Sequence, residues 1–283
     1  MKTIAISGAN GFVGTSLTNF FSSFGYKIVP LSRDILNNKS KLEEVLNSTD
    51  IVINLAGANI INRWSESYKK LLYSSRIDTT SKIVNAISSI SNKPKLLIST
   101  SAVGIYDNKS IYDENGSFSN DFLSTLCQNW EKEAQKAKSE STKVAIFRFG
   151  IVLGKNGGAF QKMITPFKLG LGGIIGSGKQ HFSYIHIEDL IEVYKFVIEN
   201  SLDGVFNCTA PTPTTNYEFT KTLGRVLNRP TIFPIPEFVL KLIFSEGAKV
   251  LTDGQSVIPK RLLDLGFNFK YKNIDETLKN LAK

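Results

Sequence analysis

The sequence has few residues of the kinds that build disulfide frameworks and metal centres. Its 283 residues include two cysteines, Cys127 and Cys208, and two histidines. The cysteines form no C-x-x-C motif, which argues against a cysteine zinc site and against a disulfide-stapled fold. Scarce cysteine suits a reducing compartment, so the composition predicts a cytoplasmic protein.

Long apolar runs are also absent. No stretch approaches the roughly 20 apolar residues that a membrane span requires. Met1 and Lys2 lead directly into an apolar strand, without the basic region and apolar core of a signal peptide. The sequence therefore predicts neither a spanning segment nor a membrane partner.

Acidic residues are outnumbered, because 25 aspartates and glutamates face 34 lysines and arginines, giving a formal charge of +9. Such an excess can indicate nucleic-acid binding, but the cations are scattered and many have acids beside them, as at 131–133 and 260–264. No arginine-rich block or RNA-binding signature occurs. We therefore expect a lysine-rich solvated surface, no nucleic-acid partner and a modest attraction for a phosphorylated cofactor.

The first turn of the chain carries the strongest motif. A short apolar strand runs into the sequence SGANGFVG at residues 7–14, and an apolar-periodic helix follows. In this G-x-x-G-x-x-G pattern Gly8 makes the tight turn and Gly11 lets the backbone approach a pyrophosphate. Gly14 lets the helix pack close to the strand. Because the helix N-terminus also offers N–H groups to phosphates, the turn predicts dinucleotide binding.

Alternating strand and helix patterns follow this turn. Apolar strands are predicted at residues 27–31, 51–55, 96–100 and 144–147, and helices at residues 41–46, 65–91 and 122–139. Near-continuous apolar strands that alternate with helices indicate a parallel, doubly wound α/β sheet of the Rossmann type.

Beyond residue 154 the pattern changes. Glycine clusters at 157–158 and 170–178 mark a loop-rich stretch, and prolines interrupt the helical C-terminal third. We divide the chain into a nucleotide-binding core at 1–154 and a smaller α+β lobe at 155–283, with segments that return to the core. Such a lobe commonly supplies a substrate pocket at the carboxyl ends of the strands.

The end of the second predicted strand indicates which nicotinamide cofactor is bound. An acid at this point would accept hydrogen bonds from the ribose 2′-hydroxyl of NAD. The chain instead has Ser32, which can donate to a 2′-phosphate, and Arg33, which can pair with it or stack on adenine. Asp34 follows one step later and is expected to point away or to cap the next turn. We therefore predict NADP (NADPH) in preference to NAD; the alternative is that Arg33 is an ordinary exposed loop residue.

Ordered motifs along nearly the whole chain support a family resemblance. They occupy residues 54–58 (NLAGA), 63–64 (RW), 75–80 (SRIDTT), 99–104 (STSAVG), 130–131 (WE), 148–154 (RFGIVLG), 166–173 (PFKLGLGG), 185–187 (IHI) and 215–219 (TNYEF). With these blocks the chain resembles the extended short-chain dehydrogenases/reductases, and more narrowly their atypical epimerase-family branch, the YfcH-like or SDR39-type proteins. The resemblance is specific for the branch and far less specific for an activity.

The resemblance implies a set of cofactor contacts. The expected residues are Gly8, Gly11, Phe12, Val13, Gly14, Ser32, Arg33, Leu55, Ala56, Gly57, Arg76, Ser99 and Val152. For Arg76 the alternative is a surface ion pair, and for Leu55 and Ala56 it is ordinary sheet core. A homodimer in which the two long helices pair across a two-fold axis, as in many extended relatives, is a further expectation.

The usual catalytic pair of this family is missing. Short-chain dehydrogenases generally place Tyr-x-x-x-Lys on one face of the helix at 122–139, where the lysine lowers the pKa of the tyrosine. Here Cys127 and Glu131 stand at those two positions. The hydroxyls of the preceding strand end survive as Thr100 and Ser101, and we prefer Ser101 as the group that polarises substrate.

Three other residues are candidates for proton transfer. Cys127 could act as a thiol acid or base, although no lysine or histidine near it in the sequence would lower its pKa; the alternative is a packed apolar residue. Glu131 is either a buried base or a solvated carboxylate. Tyr106 could reach substrate from another direction or be structural, and its loop reads Ile-Tyr-Asp where the family usually has Tyr-Tyr-Gly. Standard sugar epimerisation is therefore not expected.

Two functions stay open. The first is an NADP-dependent oxidoreductase or epimerase-like enzyme acting on a small polar, nucleotide-sugar-like substrate. The second is a non-catalytic NADP-binding protein that senses the cofactor or docks a partner, in the manner of relatives described as cell-division inhibitors. His186 beside Glu188 and Asp189 suggests a metal, but the segment matches a common structural one, and we expect no metal site.

Overall fold

A computed structural model describes residues 1–282. The strands are β1 (Thr3–Ser7), β2 (Lys27–Leu31), β3 (Ile51–Asn54), β4 (Leu96–Ala102), β5 (Ile111–Tyr112), β6 (Lys143–Phe149), β7 (Ile151–Gly154), β8 (Tyr184–His186), β9 (Gly204–Cys208) and β10 (Ser256–Val257). The helices are α1 (Phe12–Ser23), α2 (Arg33–Asn37), α3 (Lys39–Asn47), α4 (Glu66–Ser89), α5 (Phe122–Gln135), α6 (Gly158–Lys168), α7 (Ile187–Glu199), α8 (Asn216–Leu227), α9 (Glu237–Phe244), α10 (Lys249–Thr252), α11 (Lys260–Asp264) and α12 (Ile274–Leu281).

Six parallel strands form the central sheet in the order β2-β1-β3-β4-β6-β9. From β1 the chain winds first to β2 on one side and then to β3 on the other. The carboxyl ends of β1 and β3 therefore border the crevice in which open α/β sheets bind ligands. The expected Rossmann-type sheet is confirmed, and residues beyond 154 return to it as β9.

Each face of the sheet buries a separate apolar layer. Because side chains alternate along a strand, Ile98 faces α1 and α7, whereas Leu97 faces α3, α4 and α5. On the first side Tyr194 of α7 packs against Phe147, with ring centroids 4.6 Å apart. Two-sided burial explains why the strands are near-continuous apolar runs in the sequence.

Side chains at the helix starts explain the predicted boundaries. Ser65 accepts a hydrogen bond from the Tyr68 N–H to cap α4, and Asp121 accepts one from Ser124 to cap α5. The predicted helix at 122–139 was too long, since α5 ends at Gln135. The chain then turns so that Ser139 N–H donates to the carbonyl of Thr142 at 3.0 Å.

Residues that the sequence assigns to the smaller lobe form an apolar cluster of their own. This cluster joins α6, α8 and α12 around the stacked rings of Phe182 and Phe219, 4.4 Å apart. The turn at 245–248 rests on the loop before α4: Trp64 N–H donates to the carbonyl of Phe244, and a Cβ on Gly247 would overlap the Asn62 carbonyl oxygen.

The end of the chain also returns to the core. Strand β10 pairs in parallel with β5, with Ser256 opposite Ile111. Within residues 1–282, no helix combines the length and apolar character needed to cross a membrane.

Candidate functional site

The glycine turn has the geometry that its sequence predicted. Gly8 adopts a φ of +71°, a conformation that a side chain would strain. A Cβ there would lie 3.2 Å from the carbonyl carbon of Leu55, so the ends of β1 and β3 are in close contact. Gly11 occupies the N-cap of α1, where it has no side chain to cover the first-turn N–H groups. These groups are left free for an anionic ligand.

Close packing around the start of α1 explains further glycines. A Cβ on Gly14 would overlap the carbonyl oxygen of Gly8. The ring of Phe12 lies 2.5 Å from the position of a Cβ on either Gly154 or Gly157, so the turn between β7 and α6 covers this ring. Val13 packs against the apolar layer beneath. The glycine turn is thus held by the residue after β3 on one side and by the turn between β7 and α6 on the other.

The end of β2 leaves a cation and a hydroxyl open to solvent. The Ser32 hydroxyl oxygen accepts from Ile35 N–H at 3.3 Å and so keeps its own proton for donation. Arg33 begins α2 and is exposed. Asp34 pairs with Lys41 at 3.0 Å, turned to its own ion pair as expected. This arrangement presents positive charge, which suits a 2′-phosphate better than a 2′-hydroxyl.

Arg76 is not a surface ion pair. Its guanidinium donates to the carbonyls of Ala58 at 2.9 Å and Leu72 at 3.2 Å, and it lies 5.3 Å from the ring of Trp130. Burial lowers its pKa. A Cβ on Gly57 would be 3.1 Å from the guanidinium carbon, so the Arg76 side chain packs directly against the loop after β3.

The remaining predicted cofactor residues lie around this loop. Ala56 N–H donates to Asn54 Oδ1 at 3.4 Å, and Val152 is half-buried in β7. Ser99 is fully buried within β4, so its side chain lies below the surface of the crevice.

Ser101 and Glu131 are joined directly. Ser101 Oγ donates to Glu131 Oε1 at 2.7 Å. Arg148, 3% exposed on β6, donates to both oxygens of the same carboxylate, from Nε at 2.8 Å and from Nη2 at 2.7 Å. Burial alone would lower the pKa of Arg148, but the hydrogen bonds and charge of Glu131 outweigh it and raise that pKa. The position usually held by the catalytic lysine thus holds a carboxylate neutralised by an arginine from the sheet.

The same arginine orients Tyr106. Arg148 Nη1 donates to the tyrosine hydroxyl at 2.6 Å, and this hydroxyl donates to Asn207 Oδ1 at 2.8 Å. Tyr106 is fully buried and burial raises its pKa. Glu114 closes the network by accepting from Asn207 N–H at 3.1 Å. Tyr106 is therefore placed as a positioning residue, because its hydroxyl is enclosed rather than directed at the crevice.

Cys127 lies beside Ser101 with its thiol protonated. Desolvation, and then the charge of Glu131, raise its pKa to about 11, although Arg76 and the hydrogen bond with Ser101 act in the opposite direction. Thr100 points to the other face of β4, where the described residues give its Oγ1 no hydrogen-bond partner. Thr100 and Ser101 are thus directed to opposite sides of the sheet.

Sequence reasoning assigned no role to Arg148, Asn207 or Glu114. One signal was available: Arg148 interrupts the apolar run of β6, and a charge within a buried strand requires a partner. The identity of that partner depends on how α5 packs against β6, which local spacing does not show. Tyr217 and Lys221 have the Tyr-x-x-x-Lys spacing, but they lie on α8, where Lys221 donates to the carbonyl of Thr231.

His186 has a structural role at the start of α7. Its Nδ1 accepts from Glu188 N–H at 3.1 Å, and its Nε2 lies 3.2 Å from Asn280 Oδ1. Asp189 accepts instead from the backbone N–H groups of Lys270 and Tyr271. Among residues 1–282, no three His, Cys, Asp or Glu side chains come together as metal ligands would.

We expect His186 to make the protein less stable in mild acid. Burial lowers its pKa from 6.5 to about 4, so the unfolded chain binds more protons between these pH values. Its contribution is complete above pH 6.5, falls as the pH drops toward 4, and is on the order of 3 kcal/mol. In His186→Asn, the asparagine keeps a helix cap but does not titrate. Urea unfolding at a series of pH values should show a shallower acid loss for this variant; an unchanged loss contradicts the assignment.

Comparison with known proteins gives a consistent result along the whole chain. Residues 4–209 match the model of the NAD dependent epimerase/dehydratase family, and residues 235–281 match a domain of unknown function, DUF1731. Epimerase family protein SDR39U1 of Mus musculus is 38% identical, with 99% of each chain covered. Epimerase family protein YfhF of Bacillus subtilis is 36% identical, with 98% of this chain and 97% of that protein covered.

A solved structure agrees with the sequence matches. The crystal structure of the human epimerase family protein SDR39U1 with NADPH superposes with a TM-score of 0.93 at 36% identity, covering 99% of both chains. The predicted preference for NADP agrees with the cofactor of that human relative. Since matches of this extent cover both lobes, the resemblance inferred from the sequence is confirmed: the chain belongs to the NAD dependent epimerase/dehydratase family.

Proposed function

We propose that this protein binds NADPH and is an oxidoreductase for a small polar substrate of the nucleotide-sugar-like class, with Ser101 and Glu131 in place of the Tyr–Lys pair. The observation that carries the proposal is the 2.7 Å hydrogen bond from Ser101 to a carboxylate fixed by Arg148. The Arg148–Glu131 ion pair is buried and therefore costly to desolvate, and we propose that its role is to position Ser101. When bound, NADPH supplies the hydride.

Proton movement follows from the direction of this hydrogen bond. Because Ser101 donates to Glu131, its free lone pairs can accept from a substrate hydroxyl. As the substrate proton passes to Ser101 Oγ, the serine proton passes to Glu131 Oε1. In the reverse direction, Glu131 first takes a proton from solvent; it passes this proton to Ser101 Oγ as the serine proton passes to the carbonyl oxygen that receives the hydride. Arg148 keeps the carboxylate in place, and Tyr106 and Asn207 hold Arg148.

Mutation of Ser101 and of Glu131 tests this proposal. We expect NADPH oxidation with a panel of aldehydes, ketones and keto-sugar nucleotides to fall by about 100-fold or more in Ser101→Ala and in Glu131→Gln. NADPH binding should be retained in both variants. Glu133→Gln, on the same helix and paired with the exposed Lys136, is the matched control and should turn over like the wild type. Equal rates in all variants exclude the proposed relay.

A second candidate is a non-catalytic NADPH-binding protein that senses the cofactor. The observation that favours it is burial: Ser101 is 1% exposed and Cys127 is 4% exposed, so a substrate oxygen reaches them only after neighbouring side chains move. Under this reading NADPH binds tightly while no member of the carbonyl panel is reduced. Binding and turnover measured together therefore separate the two candidates.

Arg33 provides the test of cofactor choice. We expect Arg33→Ala to weaken NADPH binding about 10- to 100-fold, because a charge-assisted contact to the 2′-phosphate is lost, and to leave NADH binding unchanged. Titration of nucleotide fluorescence measures both. Lys39→Ala removes an exposed cation nearby, 3.8 Å from Glu43, and should retain the preference. Parallel losses for NADPH and NADH in Arg33→Ala would exclude 2′-phosphate recognition by this residue.

We also propose that the protein is cytoplasmic and forms a homodimer. The two cysteines are both free and buried, which supports a reducing, cytoplasmic environment. Pairing of two copies through α4 and α5 is supported by Leu71 and Tyr73, which are 48% and 41% exposed on α4.

A further inference from the structure

The smaller lobe exposes a concentration of large apolar side chains. Six of them, each more than half exposed, form what we call the apolar surface: Leu169, Leu171, Ile232, Phe233, Phe238 and Leu242. Leu242 and Phe238 on α9 are 75% and 70% exposed. Single exposed apolar residues are ordinary, but a group of this size on neighbouring segments indicates an interaction site.

Backbone contacts hold the two segments of the apolar surface together. Ile235 N–H donates to the carbonyl of Ile174 at 2.8 Å, and Gly176 N–H donates to the carbonyl of Ile235 at 2.9 Å. A Cβ on Gly173 would overlap the carbonyl oxygen of Phe233. The loop after α6 and the segment leading into α9 therefore form one continuous surface.

The charged side chains around this surface are mostly basic. Residues 141–187 and 219–236 contain no aspartate or glutamate but hold nine lysines and arginines, of which only Arg148, buried against Glu131, and Arg225, paired with Asp275, have acidic partners. The balance of lysines and acids expected from the sequence therefore holds outside these two ranges. Lys168 and Lys179 are exposed, and Arg229 donates to the carbonyl of Lys168 at 2.9 Å. Glu237, the nearest acid on α9, is 3.7 Å from Lys241.

We propose that the apolar surface binds the surface of an anionic lipid bilayer. Protruding aliphatic and aromatic side chains can enter the headgroup boundary, while the surrounding cations are attracted to acidic headgroups. Peripheral binding of this kind needs no spanning helix, and it departs from the sequence-based expectation of no membrane partner. The inference is independent of the proposed oxidoreductase activity.

Other occupants fit these observations less well. A second copy would bring two surfaces of the same positive charge together, which costs energy. Four of the six exposed side chains are aliphatic, whereas single-stranded nucleic acid is bound through stacking on aromatic rings. An acidic protein would satisfy the charges, and the experiment below distinguishes it.

The test is sedimentation of the full-length protein with vesicles. Phosphatidylcholine vesicles that contain about one-third phosphatidylglycerol should bind the protein, and pure phosphatidylcholine should not. In the double variant Phe238→Ser, Leu242→Ser we expect vesicle binding to weaken at least about tenfold. Lys168→Glu with Lys179→Glu should weaken it similarly and reduce its salt dependence.

Matched controls separate this surface from general stickiness and charge. Phe24→Ser changes a side chain that is 55% exposed just after α1, and Lys109→Glu changes an exposed lysine in the loop before β5. Both controls should bind vesicles like the wild type, and unchanged melting temperatures should show that all variants fold. Failure of the wild type to bind the anionic vesicles, or equal binding by the double variants, overturns the proposal. Equally tight, variant-sensitive binding to soluble polyglutamate overturns it in favour of an acidic protein.

Discussion

Arg148→Met is expected to destabilise the protein by about 3–5 kcal/mol, which corresponds to a fall in melting temperature of roughly 10 °C. The change leaves the Glu131 carboxylate, 12% exposed, without the two hydrogen bonds that neutralise it. It also removes the donor to the buried hydroxyl of Tyr106. Urea unfolding followed by circular dichroism measures the free energy of unfolding directly.

A double variant and a variant of an exposed ion pair serve as comparisons for Arg148→Met. Removing both charges in Arg148→Met, Glu131→Leu should recover most of the lost stability, since a buried ion pair can be replaced by apolar groups at little cost. Lys138→Ala breaks an exposed pair with Asp203 and should cost less than about 1 kcal/mol. Should Arg148→Met unfold at the same urea concentration as the wild type, the ion pair contributes nothing to stability.

Gly14→Ala is expected to reduce NADPH affinity at least about 100-fold, or about 3 kcal/mol. The added Cβ would overlap the Gly8 carbonyl oxygen and approach the Ala9 Cα to 2.7 Å. Both neighbours are backbone, so no rotamer change relieves the contact. Helix α1 must then move away from the turn that its N–H groups complete. Isothermal titration of purified protein with NADPH measures the loss.

A graded series of glycines provides the control. A Cβ on Gly11 would lie 3.2 Å from the Gly8 carbonyl oxygen, so Gly11→Ala should have an intermediate effect. At Gly104 the nearest atoms are 3.8 Å away, and Gly104→Ala should bind NADPH within about twofold of the wild type. If the three variants do not follow this order, close packing at the turn does not govern cofactor affinity.

The parts of the fold set by local patterns could be predicted from the sequence. Two-sided burial makes each central strand a continuous apolar run, and serine or aspartate caps mark the starts of α4 and α5. The glycine turn is equally local, because its spacing reflects close contacts within a few residues. Asp34 could likewise be excluded as a ligand of the cofactor ribose, because its ion-pair partner Lys41 is close in sequence, on the next helix.

The site beyond the turn depends on contacts between distant segments, and these are not visible in spacing. Glu131 could be read as either a base or a solvated carboxylate, because the deciding contact is with Arg148 on another element. Likewise the alternation of β4 decides that Ser101 faces α5 while Thr100 faces away. The buried role of Tyr106 depends on Asn207, which approaches only when β9 joins the sheet.

The pairing of β10 with β5 has a consequence for how the protein is made. Asn207 Nδ2 donates to the carbonyl of Ile258, and Glu114 accepts from Arg261 N–H, so the last part of the chain closes the buried network. During synthesis the strands of the nucleotide crevice leave the ribosome long before these partners do. A nascent chain can therefore complete its glycine turn early, whereas the surroundings of Arg148 and Tyr106 are completed only once residues 256–261 have been made. Residues 256–261 therefore supply the last hydrogen-bond partners of Asn207 and Glu114, long after the glycine turn has been made.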